Sequence, residues 1–148
     1  MARPLSPELA RDVCRLLVEL SAGLIEIEPL GAPAPGTAPG PVLRAPDYLR
    51  SAALPLGTIL LVRNRLSAPL LATVMGWSAP RTGVALVSAS GLEDSPERLA
   101  ALVGHEAAHL LGLRHCRSNH CLARQVGRLE ELDQVRGFCC SCSARLRR

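Results

Sequence analysis

Residues 105 to 116, HEAAHLLGLRHC, place three histidines, a glutamate and a cysteine within twelve positions. On a helix, residues four apart stand one turn above each other, so His105 and His109 point the same way. Two imidazoles so placed can supply two nitrogens to one tetrahedral zinc ion. Glu106 lies one step round from His105, close enough to hold a zinc-bound water without being a ligand. Zinc lowers the pKa of that water toward neutrality, and a carboxylate can take its proton as it attacks a carbonyl carbon. Gly112 lets the chain turn sharply after the helix, because it adopts positive φ without a Cβ clash. The turn brings His115 back as a third ligand and leaves the fourth position open. An open position is the mark of a catalytic zinc.

A second set begins without a gap. Cys116 and Cys121 form one pair, and Cys139 and Cys142 form a C-x-x-C. Two cysteine pairs separated by a loop are the usual frame of a closed four-cysteine zinc site. Cys140 and Cys142 are also a possible pair, but the two-residue spacer suits a tetrahedral knuckle better and selects Cys139. In an extended stretch, neighbouring side chains point to opposite sides. His115 can therefore face the catalytic metal while Cys116 faces a structural one. A tail of about thirty residues with little apolar bulk would gain its order from that second ion. The expected complement is two Zn2+. Cys14 reads as a small packing residue and His120 as a solvent-facing loop residue.

These groups need elements to hold them. Ser6-Pro7-Glu8 signals a helix start, and Leu9, Val13, Leu16, Leu17 and Leu20 recur at helical spacing up to Gly23. Residues 24–28, LIEIE, alternate apolar and acidic and predict a short strand. Residues 29–46 hold six of the chain's twelve prolines and read as a surface loop. Strand-like runs follow at 58–64, 70–77 and 83–89, with Ser67-Ala68-Pro69 joining the first two. Asp94-Ser95-Pro96-Glu97 repeats the helix-start chemistry, and a helix should run from about Pro96 to Leu111 and stop at Gly112. The order is helix, strands, helix, then a cysteine-rich tail, an α/β or α+β arrangement.

At 148 residues the chain reads as one domain, 1–148, able to bury its own core, with residues 112–148 as a C-terminal subdomain. Nearly half of it is hydrophobic, which excludes wholesale disorder. Tyr48, Trp77 and Phe138 are the only aromatics, too few for a base-stacking platform. The net charge of +4 comes with arginine as the sole basic residue and gives little weight to nucleic-acid binding. Glu8, Arg11 and Asp12 interrupt what a signal peptide would need, and no run approaches a membrane span. A cytoplasmic, reduced and monomeric protein is expected, in which six cysteines favour metal over disulfides.

The run HEAAHLLGLRHC, the gap to Cys121 and the terminal FCCSC resemble the archaemetzincins, a branch of the metzincin zinc metallopeptidases. The likeness is sharp over residues 105 to 142 and weaker back to about Leu70. It implies His105, His109 and His115 as catalytic zinc ligands, Glu106 as general base, and Cys116, Cys121, Cys139 and Cys142 as structural ligands. It further implies a compact metzincin-like domain with a small mixed sheet, an active-site helix and a zinc-stapled tail. GVALVSA (83–89) would resemble the cleft-edge strand along which a peptide or protein substrate lies. Two features depart from the family. Ala123 stands where a methionine beneath the catalytic zinc is usual, and the stretch from there to Cys139 is shorter than usual. They motivate an alternative, a weak or inactive zinc-holding module that grips peptides or a partner.

Overall fold

The computed structural model describes residues 5–29 and 42–148. Helix α1 (Pro7–Leu20) is followed by β1 (Val42–Arg44), α2 (Ala45–Ser51), β2 (Thr58–Val62), β3 (Arg65–Ala68), β4 (Leu71–Val74), β5 (Gly76–Ala79) and β6 (Val84–Ser88). Then come α3 (Pro96–Leu110), a 3₁₀ turn (Leu129–Gln134) and α4 (Cys140–Leu146). The strands form two small mixed sheets of three, ordered β1-β3-β4 and β2-β6-β5. In the second sheet β2 runs parallel to β6, while β5 runs antiparallel to it with Gly76 opposite Val87 and Ala79 opposite Val84. The mixed α/β class expected from the order of elements is what the fold shows.

Both long helices begin and end as their residues dictate. Ser6 accepts a hydrogen bond from Leu9 N at the start of α1. Ser95 precedes α3 but its side chain makes no capping bond, so Pro96 and Glu97 carry that start. At the other end Gly112 takes φ +92°, and Leu113 N reaches back to Ala108 O at 2.9 Å. Helix α3 is buried from Leu99 to Ala108, packed against α1 on one side and β5 and β6 on the other. Leu17, Leu99 and Leu122 are wholly enclosed there; each contributes about 1.5–3 kcal/mol relative to exposure.

Four sequence expectations need correction. Residues 24–28 pair with no strand; Ile25 N bonds Ser21 Oγ at 3.1 Å, and buried Ile25 explains the apolar alternation. The end of the 29–46 segment is ordered, with β1 at 42–44 and Pro46 and Asp47 in the first turn of α2; residues 30–41 lie outside the described residues. The run 70–77 is two strands in different sheets, broken at Met75, and β3 occupies the connection before it. Finally, 83–89 is not the edge: β6 lies between β2 and β5, and β5 ends the sheet on the side packed against α3. No helix among the described residues is long and apolar enough to cross a membrane.

Candidate metal centres and the residues around them

Helix α3 carries His105 and His109 one turn apart, and the loop after Gly112 returns His115 to meet them. Ligand atoms of the three imidazoles lie within 4.8 Å of one another. His105 Nδ1 lies 3.0 Å from Leu122 O, and His109 Nδ1 lies 2.8 Å from Leu113 O. A carbonyl can only accept, so both Nδ1 atoms donate, and each Nε2 is left with a bare lone pair. Those two Nε2 atoms face each other at 3.0 Å. Two facing lone pairs call for a cation or a shared proton between them. Burial, then the neighbouring His109, pushes the His105 pKa down to about 4; His115 is lowered by the same two causes. Imidazole nitrogens that converge in this way suit a zinc ion.

Glu106 points to the strand side of α3 and is 5% exposed. Its carboxyl group is hydrogen-bonded by Ser78 and lies against the backbone of Gly76, both on β5. A Cβ on Gly76 would collide with Glu106 Oε1 and lie 2.8 Å from its Cδ. Burial raises the Glu106 pKa to about 7, with the Ser78 hydrogen bond opposing. Neither Gly76 nor Ser78 is recognisable from the motif. A glycine just inside a strand pattern is the one signal that could have flagged a close approach.

Across the His115–Cys116 junction the direction changes. The Sγ atoms of Cys116, Cys121, Cys139 and Cys142 also lie within 4.8 Å of one another. Cys116 Sγ is 3.7 Å from Cys139 Sγ, and backbone N–H groups of Ser118 and Cys139 point at Cys116 Sγ and Cys121 Sγ, each at 3.4 Å. Such N–H···S contacts stabilise thiolates. The N–H of Cys142 leads in lowering the Cys139 pKa to about 7, while burial raises Cys121 and Cys142. Crowded sulfurs that resist charging together are what a divalent cation reconciles. The donor set therefore fits zinc.

Exposed Cys140 opens α4 and stays outside this set; Cys14 sits on α1, and His120 bonds Gln134 O at 2.9 Å. Ala123 is fully enclosed among Ala108, Leu113, Cys121 and Cys142. Its carbonyl accepts from Cys116 N at 2.9 Å. His105 and His109 rest on the carbonyls of Leu122 and Leu113.

This fold is shared with solved archaemetzincins. The chain superposes on archaemetzincin from Archaeoglobus fulgidus, solved with malonate, with a TM-score of 0.75 at 18% identity over 96% of this chain and 94% of that one. For archaemetzincin from Methanopyrus kandleri the TM-score is 0.71 at 24% identity, over 98% and 89%. A zinc-dependent peptidase from Methanocorpusculum labreanum gives 0.67 at 24%, over 94% and 93%. At these identities the likeness is one of fold. In sequence, the chain is 39% identical over 79 residues to an archaemetzincin of Aeropyrum pernix. That match covers 49% of this chain and 43% of the relative, less than half of its length. No protein-family profile matches the chain.

Proposed function

We propose that this chain is a zinc-dependent peptidase, with His105, His109 and His115 holding the catalytic zinc and Glu106 as general base. Cys116, Cys121, Cys139 and Cys142 would hold a structural zinc. The observation that carries the reading is the meeting of three imidazoles, two of them held by backbone carbonyls, with the buried carboxylate of Glu106 beside the strand that ends the sheet. A zinc ion bound there would supply Lewis acidity toward a water molecule and a peptide carbonyl. Glu106 would take a proton near neutrality and pass it to the departing amine. Ser78 and Gly76 keep its carboxyl group in place. A peptide can add itself to β5, the strand next to Glu106, by main-chain pairing.

Similarity supports this reading: the related proteins are named archaemetzincins and zinc-dependent peptidase. The alternative, a silent module, rests on Ala123. Backbone support of both helix histidines makes residue 123 less decisive and favours hydrolysis. The test is cleavage of a diverse peptide library by the zinc-loaded protein and by Glu106→Ala. Metal-dependent cleavage lost in the variant is expected. Equal residual cleavage in both would overturn the mechanism.

A further inference from the structure

A cavity of about 230 Å³ opens at the Met75 end of β5. Met75 lines it and directly precedes Gly76, whose backbone touches the Glu106 carboxyl group. The volume lies below the ~300–1,000 Å³ of pockets that enclose whole small ligands, so it suits one side chain or one chain end. Its wall is mainly apolar, through Met75, Leu92 and Leu129 among others. Arg65 is the sole ionisable residue among the described residues that line it, and no carboxylate of the described residues lies in ion-pairing range of it. Ser88 is committed, donating to Asn64 O at 2.8 Å and accepting from Ser90 N at 3.2 Å. The Ser90 hydroxyl has no partner among the described residues. The cavity thus combines an aliphatic wall with one unpaired cation and two uncommitted hydroxyls, those of Thr73 and Ser90, among the described residues.

The geometry points to a carboxylate-selecting subsite: this cavity takes an acidic group on a short aliphatic stem from the peptide lying along β5, and Arg65 is its specificity-determining residue. The inference rests on the peptidase reading for its ligand class but not for its test. Two sources share this chemistry, a glutamate side chain near the cleaved bond and the free carboxylate at a peptide's end. An amide or an alkyl group in their place would leave Arg65 without a counter-charge, and a lysine would oppose it.

Binding is measured without turnover, by calorimetry on zinc-loaded Glu106→Gln protein. The probes are alanine hexapeptides with a single glutamate walked along the chain, their glutamine counterparts, and each of these as free acid and as amide. One glutamate position should bind about tenfold or more tightly than its glutamine counterpart, the scale of a hydrogen bond to a charged group. If the chain end is the source, amidation should cause that loss instead. Arg65→Gln should abolish the preference and Ser90→Ala should weaken it, with binding of the uncharged peptides unchanged. Equal affinity for acidic and neutral peptides, a preference that survives Arg65→Gln, or no binding at all would overturn the subsite. Failure of the wild type to cleave any peptide would count against the peptidase reading alone.

Discussion

Glu106 is held by two residues of another element, and each gives a prediction. Gly76 has no side chain because the Glu106 carboxyl group fills the space where a Cβ would stand. Gly76→Ala must push that group aside while leaving the three histidines in place. Displacements of this size cost about 10²-fold in rate, so kcat/KM should fall roughly 100-fold while zinc content stays at the wild-type value. Unchanged kinetics would show that the carboxyl position does not matter. Ser78→Ala removes one hydrogen bond to the same group. It should lower kcat about tenfold with little change in KM, and Ser78→Thr should restore most of it. A fall in KM and kcat together in the threonine variant would argue for a role in folding instead. The seven proposed ligands and Glu106 were legible because their spacing is local. Gly76 and Ser78 were not, since their meaning depends on β5 packing against α3, which no pattern within either segment encodes.

At the scale of elements, α3 is the part on which the site depends, and at Gly104 it leaves no room for a side chain against α1 and Leu122. A Cβ there would lie 2.5 Å from Leu122 Cδ2 and 2.7 Å from Leu17 Cδ1. Gly104→Ala gains about 0.5–1 kcal/mol of helix propensity but adds an overpacking cost of about 1–3 kcal/mol. The second effect wins, so chemical denaturation should show a net loss of about 1 kcal/mol. Leu122 also carries the carbonyl that orients His105, so the shift should weaken zinc binding at the histidines as well. A more stable variant would mean that the α1–α3 contact yields freely. The helices were readable from Ser6-Pro7 and from Gly112, whose signals are local. The sheets were not: 70–77 is apolar but for Thr73, and the break at Met75 arises because β4 pairs with β3 while β5 pairs with β6. The resemblance to the archaemetzincins put the edge on 83–89, but that run is central, because β5 pairs with β6 on its outer side.

Over the whole molecule, the two metal sets share a junction, and the dependence between them runs one way. The tail from Cys116 to Cys142 returns Leu122 against α3, where its carbonyl orients His105. It also pins Cys116, next to His115, through the Cys116 N to Ala123 O bond. Two of the three clustered imidazoles, His105 and His115, therefore depend on the cysteine cluster for their orientation. Nothing comparable runs back: His109 leans on Leu113, in the turn after its own helix. His109→Ala should lose one zinc of two and keep thermal stability near that of the wild type. Cys121→Ala should lose the other zinc, unlock the tail, and also bind zinc at the histidines about 10- to 100-fold more weakly, the scale on which groups behind metal ligands act. Metal content by mass spectrometry with a chelator competition separates these outcomes. If both variants lose the same single ion, the chain has one metal site and Cys116 does not begin a second. If Cys121→Ala leaves affinity at the histidines unchanged, the sites are independent, and α3 with its following turn sets the imidazoles unaided.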